Sequence, residues 1–298
     1  MKTNLLLFMV LGFTISVTAQ NYKQQFTESF TGNDTIAQLT ILKQWEKTGN
    51  NDPDFYISYF NYYANKSAKE VLSIDQSPMD EEVAWAIKDS LSNTVGFINS
   101  GIMYEKEGLK LALEYIDKGI ATFPDRLDMR FGKTYLLGRA YRYDDFTNEI
   151  IATLKQSDKI NNKWKWSNNE PVEEPKDFML SNIQGYIGQL YNTGDDDLLN
   201  NMKEISEKVL EYYPETIESL TNLSIVHIIN EDYTNAIEWL KKAEKLAPED
   251  FIVLGNIALC YKMLGDTEKA LKYYELVIKH GDDEAKDFAA KQIEKLKQ

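Results

Sequence analysis

FIVLGNIALCYKMLGDTEKALKYYELVIKHGDD, residues Phe251–Asp283, decides the fold. Large apolar residues stand at its positions 4 and 7, a small one at 8, Tyr261 at 11, Ala270 at 20, Tyr274 at 24 and Val277 at 27. The same pattern occurs 34 residues earlier, where Leu220 matches Leu254, Leu223 matches Ile257, Ala236 matches Ala270, Leu240 matches Tyr274 and Ala243 matches Val277. Pro214, Pro248 and Asp282 mark the boundaries at the same interval. A period of this size corresponds to one helix-turn-helix unit per repeat, each burying its apolar face against its neighbours.

The register extends upstream. Asp34 precedes an amphipathic segment carrying Ile36, Leu39, Leu42 and Trp45 at helical spacing, and a break at residues 48–53 ends it. The next helix is expected from Asp54 to about Lys66, with Tyr59, Tyr62 and Tyr63 on its inter-helix face. Pro53 and Pro124 lie more than two repeats apart, so this unit carries an insertion. Val71, Leu72 and Ile74, then Val83, Trp85 and Ile87 in alternation, predict two short strands, with a turn at Asp89–Asn93. The reading is a β-rich insertion at 69–97 laid against the helices, followed by the delayed second helix from Gly108 to Phe123.

Residues 159–175 read as a polar connecting loop between N-terminal repeats (20–158) and C-terminal ones (176–298). Helices are expected at Lys176–Tyr191 and Asp195–Tyr213. The segment Glu284–Gln298, with Phe288, Ile293 and Leu296 on one side, has the composition of a capping helix.

The repeat resembles the tetratricopeptide repeat, departing at position 11 of the first copy, where His227 replaces the tyrosine. The stretch DRLDMRFGKTYLLGRAYR, Asp125–Arg142, resembles segments of secreted bacterial tetratricopeptide-repeat proteins without assigned activity. The resemblance implies a mainly all-α solenoid of about six helix pairs, with the small β insertion and the capping helix. It also implies a groove formed by first-helix positions 2, 5, 6, 9, 12 and 13. These are Glu218, Thr221, Asn222, Ile225, Ile228 and Ile229, then Ile252, Gly255, Asn256, Leu259, Lys262 and Met263. Asn at position 6 in both copies suits an extended peptide backbone, since an amide donates and accepts at once. Asn222, Ile225, Ile229, Asn256, Leu259 and Met263 are therefore the expected peptide-binding residues.

The chain is acidic, with a formal net charge of −14, which argues against nucleic acid and anionic membranes as partners. With 43% hydrophobic and 27% charged residues it has the composition of a folded domain. Lys2, the apolar run Leu5–Val17 and the small-residue end Val17-Thr18-Ala19 read as a secretory signal with cleavage before Gln20. The run is shorter than the roughly 20 residues that span a bilayer. Cys260 does not stand at the cleavage site, so the expectation is a periplasmic or secreted protein without a lipid anchor.

Candidates for chemistry are few. The sequence has two histidines, His227 and His280, and no HExxH, GxSxG, CxxC or Gly-rich phosphate loop, so neither an enzyme nor a cofactor is expected. Arg126, Arg130 and Lys133 share one helix face and can either dock an anion or neutralise nearby Asp125, Asp128, Asp144 and Asp145. Trp164 and Trp166 lie two apart beside Asn168 and Asn169, and can either stack on a glycan or plug a gap between helix pairs. Asp195-Asp-Asp197 reads as a helix start rather than a metal loop. The function this supports is a non-enzymatic protein- or peptide-binding scaffold of the cell envelope. A glycan-binding protein using the Trp164 and Trp166 loop is the alternative, and a hydrolase a more distant one.

Overall fold

The computed structural model describes residues 21–48, 51–75 and 85–298. The secretory-signal segment lies outside these residues, as does Val83. The elements in order are α1 (residues 21–31), α2 (Thr35–Glu46), α3 (Pro53–Ser67), β1 (Ala68–Asp75), β2 (Trp85–Lys88), β3 (Thr94–Tyr104), α4 (Lys106–Thr122), α5 (Leu127–Arg139), α6 (Tyr143–Lys159), α7 (Pro175–Asn192), α8 (Leu199–Tyr212), α9 (Ile217–Ile229), α10 (Tyr233–Leu246), α11 (Phe251–Met263), α12 (Thr267–His280) and α13 (Asp283–Leu296). The fold is mainly helical, built of helix pairs with one small sheet.

Two compact units emerge. One holds residues up to Glu149 together with Lys163–Val172, and the other holds Ile150–Asn162 and Glu173–Gln298. In the second unit the repeat residues do what their period requires. Leu220, Ala236, Leu240, Ala243, Leu254, Ile257, Ala270, Tyr274 and Val277 are all buried in one core. Aspartates fix the helix starts: Asp232, Asp250, Asp266 and Asp282 each accept a backbone N–H in the first turn of the helix that follows. The turn between the two helices of a pair is left-handed at Asn33, Tyr141, Gly194, Glu231 and Gly265. Gly265 at φ 77° takes this conformation without a side-chain penalty.

The terminal helix caps the core, but through a face shifted from the expected one. Ala289 and Gln292 are buried, and Ala285, Ile293 and Leu296 pack on the core. Phe288 stays largely exposed, touching Tyr274 edge-on at 6.5 Å. It sits one position off the inward stripe of 285, 289, 292 and 296.

In the first unit the aromatic stripe of α3 is packing. Tyr59 and Tyr62 are buried, and Tyr59 stacks on Tyr115 of α4 with centroids 4.1 Å apart. The insertion is a three-stranded antiparallel sheet in the order β1-β3-β2. Its third strand was not expected, and it runs to Tyr104, beyond the predicted end at 97. Gly96, Asn99, Ser100 and Gly101 weaken the strand signal there, and pairing on both sides supplies what propensity does not.

Candidate functional site

The loop of the first unit holds itself down. Backbone bonds run from Lys165 N to Asp125 O at 2.8 Å and from Leu127 N to Lys165 O at 3.0 Å. Asn168 Oδ1 accepts from Lys23 Nζ of α1 at 2.7 Å, and Asn169 Oδ1 accepts from Arg126 Nη1 at 3.1 Å. Trp164 is 2% exposed, with the Arg130 guanidinium 5.9 Å from its ring centroid. The glycan reading of Trp164 is therefore corrected: an indole so covered has no face for a sugar, and it anchors a polar loop instead. Trp166 is half-buried against Phe131 and lines a cavity of about 370 Å³ with Phe26, Phe30, Phe60, Asn61 and Asp54.

The basic trio is likewise consumed inside the chain. Arg126, 1% exposed, holds Asp128 through Nε at 2.9 Å and Nη2 at 2.7 Å, a two-pronged pair, and reaches Asp54 at 3.5 Å. Arg130 Nη1 and Lys133 Nζ both donate to Glu149 of α6, at 2.9 and 2.7 Å, and Lys133 also meets Asp117 at 2.7 Å. Burial pushes the Arg130 guanidinium below its ordinary pKa, with Glu149 opposing. The anion-binding reading of Arg126, Arg130 and Lys133 is corrected on this geometry, since each of the three side chains is already paired with a carboxylate of the chain itself. Glu149 and Asp117 lie too far along the sequence for a helix-face argument to find. Asp195 accepts from Asp197 N at 3.0 Å, capping the short turn Asp196–Leu198.

The second unit has an open groove. Leu180, Ser181 and Gln184 of α7 form one wall, Glu215, Thr216, Glu218 and Ser219 at the start of α9 the other, and Val209, Tyr212 and Tyr213 at the end of α8 the floor. The cavity measures about 720 Å³. A pair of amides spans from wall to wall: Asn222 Nδ2 donates to Gln184 Oε1 at 2.7 Å, and Gln184 Nε2 donates back to Asn222 Oδ1 at 3.3 Å.

Residues 217–250 and 253–279 match the family model of the tetratricopeptide repeat. The chain carries tetratricopeptide repeats. No curated protein matches it. Similar solved structures include the Pseudomonas aeruginosa pilF protein, at 12% identity over 91% of this chain and 79% of that one, with a TM-score of 0.31. Another is the C-terminal part of a tetratricopeptide-repeat protein from Cytophaga hutchinsonii, at 14% identity over 86% and 78%, with a TM-score of 0.41. A third is the TPR2AB domain of yeast Sti1 in complex with pHSP90, at 10% identity over 94% of this chain and 97% of that one, with a TM-score of 0.32.

Within the two matched tetratricopeptide repeats, the groove positions fare unequally. Asn222 is 4% exposed and both polar atoms of its amide are bonded to Gln184, so its assignment as a peptide-backbone contact is corrected. Gln184 stands on the helix before, and its longer side chain reaches across to saturate the shorter amide. Ile225, Asn256 and Leu259 are half-buried, whereas Ile229 and Met263 are exposed, Met263 at 51%. Lys262 Nζ donates to Gln292 Oε1 of α13 at 2.9 Å, tying that end of the face to the capping helix. Of the six expected peptide contacts, those that project from the surface are apolar. Of the residues around the larger cavity Glu218 was among the expected groove positions, whereas Leu180, Tyr212 and Glu215 escaped the sequence, because α7 runs for 18 residues, against 13 in α9 and α11, which breaks the period.

Proposed function

We propose that this chain is a non-catalytic protein-binding scaffold that holds an extended segment of a partner in the groove between α7 and α9. The carrying observation is the open cavity of about 720 Å³ on the first-helix side of a tetratricopeptide array, where apolar side chains such as Leu180, Ile183 and Tyr212 alternate with polar and charged ones such as Gln184, Glu215 and Glu218. The corresponding side of the first unit, formed by α1, α3 and α5, is crossed by residues 163–172 of the chain itself, whose bonds to Lys23 and Arg126 fasten it there. The second unit carries the free groove. The exposed Ile229 and Met263 extend the same first-helix side with apolar contact. The N-terminal segment Met1–Ala19, read as a secretory signal, supports a place in the cell envelope, either periplasmic or secreted.

The test is affinity capture from envelope extracts with the wild-type chain and with Leu180→Lys, which puts a cation on the groove wall. A partner held by the wild type and lost by the variant, with the circular dichroism unchanged, supports the groove. A partner held equally by both refutes it.

A second reading, glycan binding, rests on Trp166, which lines a cavity of about 370 Å³ beside Asn61 and Asp54. A glycan array probed with wild type and Trp166→Ala distinguishes it, since binding that survives the substitution leaves this reading without support.

A further inference from the structure

We propose that the α7–α9 groove selects a segment anchored by a lysine or arginine side chain. This rests on the groove reading above and adds the chemistry of its occupant. The two rims differ in charge. On the α7 side Lys176 pairs with Asp177 at 3.2 Å, so the charges there cancel. On the α9 side Glu215 and Glu218 are exposed and line the cavity, and among the described residues neither takes part in an ion pair. Glu218 stands in the first turn of α9, and Glu215 just before the N-cap Thr216 of the same helix.

The floor suits the rest of such an anchor. Tyr212 and Tyr213 lie side by side, with centroids 6.5 Å apart, and Leu180 faces them from α7. A long basic side chain lays its methylene stem on apolar and aromatic surface while its head stays at a polar rim, and a cation over a tyrosine ring is attracted by the ring's quadrupole. The Tyr213 hydroxyl donates to Asn162 Oδ1 at 2.7 Å, which fixes its ring. At about 720 Å³ the cavity is larger than a single side chain requires, so neighbouring residues of the same segment have room. The net charge of −14 steers a basic partner toward the molecule before contact.

The chemistry is the reverse of a carboxylate clamp: the protein supplies the anions and the partner the cation. An acidic segment would meet Glu215 and Glu218 with like charge, and a neutral one would leave them solvated and unused.

The test is selection from a phage-displayed random dodecamer library on the immobilised full chain, in parallel with the double variant Glu215→Gln, Glu218→Gln. Expected is enrichment of sequences with Lys or Arg on the wild type only. Synthetic peptides from that pool should bind about ten-fold more weakly to the variant by fluorescence anisotropy, and more weakly at higher salt. Leu180→Lys, which sets a cation on the groove wall, serves as the groove control. Enriched sequences without basic residues, lost on Leu180→Lys but indifferent to the double variant, would overturn the anchor and leave the groove standing. Failure of the wild type to enrich any sequence, or binding indifferent to Leu180→Lys, would overturn both.

Discussion

Removing the Glu149 carboxylate by Glu149→Ala exposes what the basic trio of α5 contributes. Its side chain is 6% exposed and takes Arg130 Nη1 at 2.9 Å and Lys133 Nζ at 2.7 Å. After truncation, Arg130, 8% exposed, keeps its burial and loses this counter-charge, and its Nε already lacks a hydrogen-bond partner among the described residues. Breaking a buried pair costs about 3–5 kcal/mol. Lys133 retains Asp117 at 2.7 Å, which places the expected loss near the lower end, about 3 kcal/mol. The triple variant Arg130→Met, Lys133→Met, Glu149→Met should recover most of this, because uncharged side chains need no partner in a dry setting. Urea unfolding followed by circular dichroism gives the values. Inorganic phosphate supplies the cross-check: it should stabilise Glu149→Ala, where two cations have lost their carboxylate, and leave the wild type unmoved. A loss below about 1 kcal/mol, or equal stabilisation of both proteins by phosphate, would refute the internal pairing.

Gly119→Ala should destabilise despite alanine's better helix propensity. The added Cβ would lie 2.8 Å from Tyr56 Cβ and 2.9 Å from Met129 Sδ, so overpacking of about 1–3 kcal/mol competes with a propensity gain of about 1 kcal/mol, and a higher melting temperature would contradict the contact. Leu254→Ala empties a fully buried site and should cost about 2–5 kcal/mol, with hydrogen exchange rising in α11–α13 before α2–α4; a uniform rise would count against nearest-neighbour burial. Burial pushes the Cys260 thiol from its ordinary 9.0 up to about 11. The neutral thiol is favoured in the fold, so its contribution is complete below that ordinary value and fades as pH rises through the folded one. Urea unfolding at about pH 8 and about pH 10.5 should show a larger fall for wild type than for Cys260→Ala, and parallel falls would refute the assignment.

The sequence disclosed what repetition could carry. Leu220, Leu254, Ala236 and Ala270 are buried because a 34-residue period leaves them no other face, and the two strands and turn of the insertion were visible in alternating residues. The pairing of Arg130 and Lys133 with Glu149 was hidden, since nothing in a linear pattern brings a carboxylate from α6 onto α5. Trp164 and Trp166, read together as a glycan platform or a plug, part company: one is sealed and the other lines a cavity. Bonds at Lys165 fix the local backbone, and those bonds depend on Asp125 and Leu127. Gln184 cancelled the reading of Asn222 for a similar reason, as its helix lies outside the repeat register.

The sheet leaves and re-enters its helix pair at almost one point. Ser67 O, at the end of α3, accepts from Glu105 N at 2.8 Å, and a Cβ on Gly108 would stand 2.5 Å from Ser67 Cβ, so the two ends of the excursion are bonded and pressed together. α3 and α4 pack along their length as though a short turn joined them. The tip of this hairpin is thus a permissive graft point, since whatever stands between Ser67 and Glu105 leaves the packing of α3 on α4 intact. Loop closure explains why this is tolerated: lengthening a connection whose ends are already fixed costs only about 0.6 kcal/mol per doubling. Excising residues 69–103 in favour of a short left-handed turn like that at Gly265 should therefore return an ordinary pair, which makes the sheet a detachable module of the scaffold.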